Sequence, residues 1–367
     1  MAPIPKQMKA IQVTEFNKPY VINTVSVPSE LGPHDLLVKV AIASYCHTDS
    51  MVSSGIFGTE LPVTGSHEGS GTVTLVGSEV SDFRPGDRVM CGLPLHPCGA
   101  CHDCLGPDEG NRQYCANIEG HVGVHVDGCF AEYVKVDARH TTPLPNEVSF
   151  LSAAPLACAG RTVWRSMLQT DLRAGQWVAI VGSGGGLGHL GIQFAKKAKG
   201  LNVIAIDARD EGLDLSKRNG ADVVVDARKS KAEVVAEVQR VTGGDGADAT
   251  IVLADADDSA AIGCAITKMH GLVVQVAQPD EVKVPFQELI FRGIRIKGSL
   301  LCSPEESKSM LQAIAEHGIT VRTNQFQGLD KIKDLIDLIH SGKISGKAVI
   351  IVDPTQIDSE KKIGAKY

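Results

Sequence analysis

The sequence predicts an α/β protein with a β-rich part and a second part built on a parallel, doubly wound sheet. Short apolar runs separated by Gly and Pro turns fill the first 150 residues, for example at 36–43, 71–76 and 131–136. From Trp177 onward, apolar segments of strand length alternate with longer segments of helical periodicity. Continuous apolar strands that alternate with helices are typical of parallel sheets covered on both faces.

The second part opens with a strand at 178–181, because consecutive apolar residues stand there directly before a glycine-rich turn. The helix after this turn carries Leu187, Leu190 and Phe194 at helical spacing. Further strands are predicted at 203–206, 223–225, 251–253 and 273–276, and further helices at 213–218, at 232–241 and after Ala260. Beyond Gly298 follow helices at 307–316 and 331–340 and a final strand at 348–352. The sheet domain, 159–296, is therefore predicted as an insertion between 1–158 and 297–367.

Composition limits the classes of function. The hydrophobic fraction of 43% and the charged fraction of 22% are those of ordinary globular proteins. The formal net charge of −7, with no basic block, argues against a nucleic-acid or anionic-membrane partner. No apolar run approaches the roughly 18 residues that span a bilayer, and neither end resembles a targeting signal. We expect no nucleic acid, no membrane and a cytoplasmic location.

Four of the ten cysteines stand close together in one stretch of the sequence, which is metal-site spacing: Cys98, Cys101, Cys104 and Cys115. Four thiolates close a tetrahedral zinc site and leave no position for a substrate, so this site is predicted to be structural. Another four cysteines are interpreted as ordinary small apolar residues: Cys91, Cys129, Cys264 and Cys302. The last two, Cys46 and Cys158, each sit among small and polar residues.

The glycine-rich turn after the first strand of the sheet predicts a nucleotide site. Backbone N–H groups at the following helix start can face a pyrophosphate, and glycines let the backbone approach it. The turn departs from a strict G-x-G-x-x-G pattern, because Ser183 occupies the first glycine position. Its candidate cofactor residues are Gly182, Gly184, Gly185, Gly186, Leu187 and Gly188.

Asp207, at the end of the second strand of this sheet, favours NAD as the cofactor. A carboxylate there can accept the ribose hydroxyls of NAD and would repel the 2′-phosphate of NADP. Arg209 keeps the alternative open, because an arginine nearby can accommodate that phosphate.

A second metal site is predicted from three separated residues, Cys46, His67 and Cys158. Taken one at a time, each of them is better explained as a structural residue: a buried cysteine, a capped histidine and a cysteine at a helix start. A catalytic zinc needs only three protein ligands, because its fourth position stays open for the substrate.

These motifs together resemble zinc-containing alcohol dehydrogenases of the medium-chain dehydrogenase/reductase family. They are Cys-His-Thr-Asp at Cys46, Gly-x-His-Glu-Gly around His67, the four-cysteine loop, Cys-Ala-Gly at Cys158 and the Gly-Gly-Leu-Gly turn, in the family's order. The resemblance covers nearly the whole chain and is to the NAD-linked, often tetrameric microbial branch. It implies a GroES-like catalytic domain, a Rossmann domain and an active site in the cleft between them. It also implies two zinc ions per chain, alcohol and aldehyde substrates and a homo-oligomer, with a tetramer favoured over a dimer.

The resemblance also assigns roles to individual residues. Cys46, His67 and Cys158 would hold the catalytic zinc, and Glu68 would lie behind the metal. Asp49 would orient His67. Thr48 would hydrogen-bond the alcohol and pass its proton outward. His47 and Lys347 would contact the cofactor pyrophosphate, although either is equally compatible with an ordinary surface residue.

Three departures from the family pattern shape the expected activity. Met51 stands where many relatives end the proton relay with a histidine. The interval from Cys104 to Cys115 is longer than in relatives, which loop closure tolerates at small cost. Pocket positions that carry tryptophan in ethanol-preferring relatives are predicted to be Ser53, Phe57 and Leu93, so primary alcohols larger than ethanol are expected.

Two other functions remain open at this point. A cinnamyl-type aldehyde reductase would act mainly in the reducing direction, and Asp207 argues against the NADP preference common in that group. A zinc- and nucleotide-binding relative without turnover would keep the fold, but the complete Cys46, His67 and Cys158 set argues against it.

Overall fold

The computed structural model describes residues 3–367. The strands of this described part are β1 (Gln7–Val13), β2 (Val21–Ser26), β3 (Asp35–Tyr45), β4 (Val63–Thr64), β5 (Glu68–Val76), β6 (Arg88–Met90), β7 (Pro94–Leu95), β8 (Gly120–His121), β9 (Tyr133–Asp137), β10 (Thr142–Pro143), β11 (Trp177–Val181), β12 (Asn202–Asp207), β13 (Val223–Asp226), β14 (Ala247–Val252), β15 (Thr267–Gln275), β16 (Arg295–Gly298), β17 (Thr323–Gln327) and β18 (Lys347–Ile351).

The α-helices are α1 (His47–Ser53), α2 (His102–Leu105), α3 (Phe150–Pro155), α4 (Arg161–Gln169), α5 (Gly188–Gln193), α6 (Asp210–Arg218), α7 (Lys231–Val241), α8 (Ser259–Ile266), α9 (Phe286–Ile290), α10 (Pro304–His317), α11 (Ile332–His340) and α12 (Pro354–Lys361). Other helical segments are 3-10 at Glu109–Tyr114 and Leu329–Lys331 and π at Leu156–Gly160 and Phe194–Ala198. No helix among residues 3–367 is long and apolar enough to cross a membrane.

The chain divides into two compact units. The first unit contains the residues up to Arg161, together with Cys302–Glu316 and Thr323–Tyr367. The second unit contains Thr162–Leu301 and His317–Arg322. The predicted cofactor domain, 159–296, covers most of this second unit, which begins three residues later, extends to Leu301 and also contains His317–Arg322.

The first unit is built around a seven-stranded sheet of order β10-β6-β5-β3-β18-β17, with β9 also paired to β3. Strand β3 is buried on both faces, because Val38 and Val40 enter one core while Ala41 and Ile42 enter another. Pairing within this sheet joins distant parts of the chain: Ser44 stands opposite Glu68, and Tyr45 opposite Ala348. The ends of β3, β5 and β18 therefore meet at one place.

Helix α3 brings a further segment to the same unit. The Ser149 hydroxyl accepts a hydrogen bond from the Ser152 amide at 3.2 Å, which caps the helix N-terminus. The Phe150 amide donates to the Glu360 carboxylate of α12 at 2.9 Å. The helix widens into the π segment Leu156–Gly160 before α4 begins. Such π bulges are frequent at functional sites, and this one contains Cys158.

The second unit carries the predicted parallel sheet, with strand order β13-β12-β11-β14-β15-β16. Apolar clusters fill both faces, as the continuous apolar strands predict, so the predicted fold class is confirmed. Helix α7 begins at a capping box, in which Ser230 and Glu233 bond to each other's backbone amides. The strand predicted at 273–276 begins earlier, at Thr267, and β16 was not predicted as a strand.

Candidate metal and cofactor sites

The four cysteines of the loop at 98–115 converge on one point. Their sulfurs, from Cys98, Cys101, Cys104 and Cys115, all lie within 4.8 Å of one another. The sulfurs of Cys115 and Cys98 are 3.6 Å apart. A zinc–sulfur bond of about 2.3 Å places tetrahedral sulfurs about 3.8 Å apart, so this donor set fits zinc. No disulfide competes, since all ten cysteines are free thiols.

The local backbone prepares this loop for thiolate ligands. Amide hydrogen bonds from Ala100 and Cys101 lower the pKa of Cys98 to about 6. The long interval between Cys104 and Cys115 is taken up by the 3-10 segment Glu109–Tyr114, whose first turn is capped by Asp108 accepting from the Gly110 amide at 2.9 Å. The additional residues thus form a defined turn and leave the four sulfurs together.

The second cluster brings together residues that are far apart in the sequence. Donor atoms of Cys46, His67, Glu68 and Cys158 all lie within 4.8 Å of one another. Cys46 follows β3, His67 precedes β5 and Cys158 lies in the π segment Leu156–Gly160. His67 Nδ1 is buried without a hydrogen-bond partner. Two thiols and one imidazole, with a buried ring nitrogen that lacks a partner, form a donor set that fits a zinc ion.

Electrostatics within this second cluster favour a thiolate at Cys46 and oppose one at Cys158. The hydrogen bond with the Cys158 thiol, aided by the charges of Lys347 and His67, holds the pKa of Cys46 well below its usual range despite burial. The same hydrogen bond and burial raise the pKa of Cys158. Burial opposes a charged imidazole, but the Cys46 hydrogen bond and nearby carboxylates raise the pKa of His67 to about 9. These groups are therefore strongly coupled to one another.

Asp49 positions two ligand segments through their backbone. Its carboxylate accepts from the Cys46 amide and from the Ser66 amide, both at 2.8 Å. The resemblance assigns Asp49 to the His67 ring, but no hydrogen bond joins the carboxylate to His67 Nδ1. Burial raises the pKa of Asp49 to about 6, against the opposing charge of His67. Asp49 thus holds the backbone at Cys46 and at Ser66, next to His67, in a fixed position.

Lys347 is the charge partner of Glu68. Its Nζ lies 2.9 Å and 2.8 Å from the two carboxylate oxygens, and both side chains are buried. The Ala159 amide also donates to Glu68, at 3.3 Å. Lys347 is only 5% exposed and its ammonium group is engaged with Glu68, so its contact with the cofactor phosphates stays a prediction. The pairing of β18 with β3 brings Lys347 beside the end of β3, next to Cys46.

Helix α1 carries the residues expected to handle the proton. Thr48 Oγ1 lies 3.8 Å from the Cys46 sulfur, so this hydroxyl adjoins the metal ligands. His47 is exposed, and Met51, one turn after it, is half-buried. A thioether cannot accept a proton under these conditions, so a hydrogen-bonded path from Thr48 does not continue through Met51.

The glycine turn of the second unit has the geometry of a tight strand-to-helix connection. Gly182 adopts a φ of 85°, and a Cβ at Gly188 would lie 2.3 Å from the Gly182 carbonyl oxygen. Gly185, Gly186 and Leu187 are half-exposed before α5 begins. Backbone N–H groups at this helix start can thus face an anion.

Asp207 lies at the carboxyl end of β12, beside that turn. Its carboxylate accepts from the Gly184 amide at 2.9 Å and from the Arg209 amide at 3.0 Å. The Arg209 guanidinium forms an ion pair with it at 3.5 Å. The acidic group expected for ribose recognition therefore has a fixed orientation.

Among the three predicted pocket positions, Phe57 and Leu93 adjoin the same loop, residues 120–126. The Phe57 ring packs edge-on against His125 at 6.3 Å, and the Leu93 carbonyl accepts from the Val122 amide at 2.9 Å. Ser53 lies elsewhere, in a groove of about 650 Å³ between α1 and α11. The histidines of this loop, His121 and His125, were missed from the sequence, where only their four-residue spacing marks them.

Sequence comparisons identify families for both units. Residues 32–146 match the family described as alcohol dehydrogenase GroES-like domain. Residues 186–316 match the zinc-binding dehydrogenase family. The chain is 34% identical over 349 residues to an alcohol dehydrogenase of Geobacillus stearothermophilus, which covers 94% of this chain and 100% of that protein.

Solved structures agree with these matches. An alcohol dehydrogenase from the archaeon Aeropyrum pernix superposes with a TM-score of 0.84 at 31% identity, covering 94% of this chain and 99% of that one. A cinnamyl alcohol dehydrogenase from Sorghum bicolor superposes with a TM-score of 0.84 at 28% identity, covering 94% and 98% of the two chains.

Proposed function

This chain belongs to the zinc-containing medium-chain alcohol dehydrogenase family, and from that premise we propose that it interconverts primary alcohols larger than ethanol and their aldehydes with NAD(H). The observation that carries the proposal is the convergence of Cys46, His67 and Cys158 with Thr48 beside them. A closed four-sulfur cluster elsewhere in the same unit leaves this as the cluster with room for substrate chemistry.

Cys46, His67 and Cys158 would hold the catalytic zinc in this proposal. Bound there, zinc supplies Lewis-acid polarisation of an alcohol or carbonyl oxygen. Glu68 and Lys347 neutralise each other beside the ligands, so this carboxylate lies close to the three donors without an uncompensated charge. Asp49 holds the backbone of Cys46 and Ser66 in place and so keeps the ligands aligned.

Thr48 would orient the substrate and move its proton. Its Oγ1 can accept the proton of an alcohol hydroxyl and donate its own onward. Because Met51 cannot continue this path, the proton is proposed to leave through the ribose of the cofactor and water. We expect Met51→His to speed alcohol oxidation near neutral pH. An unchanged pH–rate profile in that variant would contradict this path.

NAD is the proposed cofactor because the Asp207 carboxylate is fixed at the end of β12. A 2′-phosphate at this place would meet a carboxylate of like charge. Comparing kcat/KM for NAD and NADP tests the choice, with Asp207→Ser expected to reduce the preference. Equal use of both cofactors by the wild type would favour a cinnamyl-type reductase working with NADPH.

Substrate size is proposed from the wall formed at Phe57 and Leu93. Neither side chain has the bulk of the tryptophans expected in ethanol-preferring relatives, so a substrate pocket bounded by these two residues would be larger. We expect kcat/KM to rise from ethanol through butanol to benzyl alcohol in a steady-state series. A decline along that series would contradict the size proposal and leave the dehydrogenase assignment intact.

We also propose that the protein is a homo-oligomer, with a tetramer favoured. Strand β16 is an exposed edge strand, and large apolar side chains near it are exposed, with Phe286 at 61% and Ile290 and Phe291 at 70%. Light scattering on wild type and Ile290→Glu tests this surface, with Ile56→Glu as a control that changes an equally exposed isoleucine elsewhere. A monomeric wild type would contradict it.

A further inference from the structure

The loop at 120–126 packs directly against the segment that carries His67, a proposed metal ligand. Gly123 has a φ of 70°, and a Cβ there would lie 2.2 Å from the Ser66 carbonyl oxygen and 2.6 Å from the His67 amide. Only glycine permits this approach. The loop that carries His121 and His125 therefore packs against the backbone of Ser66 and His67, and the proposed mechanism uses neither histidine.

His125 has a defined tautomer and position. Its Nδ1 accepts a hydrogen bond from the His121 amide at 3.2 Å, so a neutral His125 carries its proton on Nε2 and can donate from there. Its ring centroid lies 5.5 Å from that of His121 and 6.3 Å from that of Phe57. Two imidazoles and one apolar ring thus form a single contiguous cluster.

His121 offers hydrogen-bonding capacity that the protein itself does not use. Its side chain is half-buried, and within residues 3–367 neither ring nitrogen makes a hydrogen bond. A neutral imidazole presents one donor and one acceptor. Sheltered polar groups of this kind ordinarily have partners.

We infer that His121 and His125 form a polar wall beside the catalytic cluster that selects alcohols and aldehydes carrying a second hydroxyl or carbonyl oxygen. This inference rests on the proposed function and deepens it. The first oxygen of such a substrate reacts at the cluster of Cys46 and His67, and the second bonds to the imidazoles. Phe57 gives the carbon chain between the two oxygens an apolar surface.

The test compares two alcohols of equal size, pentan-1-ol and 1,4-butanediol, which differ by a methyl group in place of a hydroxyl. The wild type is expected to have the higher kcat/KM for the diol. His121→Phe and His125→Phe keep an aromatic ring and remove the nitrogens, so each should lower the diol preference about 3- to 10-fold, the effect of one neutral hydrogen bond. The change should fall mainly on KM.

Further variants separate hydrogen bonding from shape. His121→Asn, which keeps a donor and an acceptor, should retain most of the diol preference. His317→Phe changes an exposed histidine far from the cluster in sequence and should leave the preference unchanged. In NMR titrations, ring resonances of His121 and His125 should shift with the diol and not with pentan-1-ol.

The outcomes are distinguishable. Equal kcat/KM for both alcohols in the wild type overturns the inference and leaves the proposed function standing. An unchanged preference in both phenylalanine variants, each still holding two zinc ions, overturns it as well. If the wild type oxidises neither alcohol with either nicotinamide cofactor, the proposed function fails and the inference fails with it.

Discussion

The two cysteine clusters of this protein use related ligands but are built in opposite ways. The closed cluster draws all four sulfurs from one segment, 98–115, and Cys98 is exposed. The catalytic cluster draws its donors from the end of β3, the start of β5 and a π segment, and it is surrounded by buried charges. One cluster is local in sequence, and the other exists only after the sheet has formed.

This difference teaches what each metal would do for the protein. Few hydrophobic side chains of the segment 98–115 are buried, so its structure would depend on a bound ion, as in small zinc-folded lobes. The catalytic donors are already held by sheet pairing and by Asp49, so the fold presents them to the ion. Ligand loss should therefore remove function at one cluster and local structure at the other.

The largest expected effect comes from removing one proposed metal ligand from each cluster. His67→Ala should reduce alcohol oxidation by more than the roughly 10- to 100-fold that outer partners of a metal site typically cost. Cys104→Ser should instead expose the segment 98–115 to proteolysis while much of the turnover remains. Steady-state rates and limited trypsin digestion measure the two outcomes. The comparison is wrong if both variants lose turnover equally with the loop still protected.

The next largest effect is expected at the buried ion pair of Lys347 and Glu68, beside the catalytic cluster. Lys347→Met leaves Glu68 buried without its partner and should lower the free energy of unfolding by about 3–5 kcal/mol. The control is Lys39→Met, which removes a half-exposed partner of Asp353 at 2.6 Å and should cost no more than about 1 kcal/mol. Urea unfolding measures both. Equal losses in the two variants would mean that the Glu68 pair contributes no more than a surface contact.

A pH effect is expected beside the closed cluster, where His140 lines a small pocket with Cys104 and Arg139. Burial and the charge of Arg161 lower the pKa of His140 to about 4, against an ordinary 6.5. The unfolded chain therefore binds more protons between these values. The contribution, about 3 kcal/mol, is complete above pH 6.5 and is lost as the pH falls toward 4.

Unfolding free energies measured across that pH range test this prediction. His140→Leu should flatten the acid slope of stability, whereas His102→Leu, an exposed histidine of the closed-cluster loop, should keep it. An identical slope in wild type and His140→Leu would show that His140 is not the titrating group.

The smallest effect concerns the turn that fills the long interval of the closed cluster. Asp108→Ala removes the cap on the Gly110 amide and should destabilise the 3-10 turn by about 1 kcal/mol. Glu109→Ala, its exposed neighbour, is the control. Proteolysis of the zinc-loaded loop should be faster only in the first variant. Equal cleavage rates would mean that the ion alone determines the loop.

Much of this architecture could be predicted from patterns within short segments of the sequence. The spacing of Cys98 to Cys115 predicts a sulfur cluster, and alternating apolar strands predict the parallel sheet, because both signals lie within short segments. The strand β16 escaped prediction because its four residues are all exposed and show no apolar run.

Long-range side-chain pairing could not be read in the same way. Lys347 and Glu68 are 279 residues apart in the sequence. No pattern in either segment predicts that β18 places the Lys347 ammonium group beside Cys46. His121 was overlooked for the same reason, since only the close approach of Gly123 to Ser66 brings its loop to His67. Ser53 belongs to a surface of α1 that the spacing within one helix does not identify.

Zinc content per chain, measured by elemental analysis together with alcohol turnover, tests the two-cluster account most directly. The wild type should hold two zinc ions and be active. Cys158→Ser should hold one zinc and be inactive, whereas Cys104→Ser should hold one zinc and retain turnover. Two zinc ions and full turnover in Cys158→Ser, or a single zinc in the active wild type, would contradict the account.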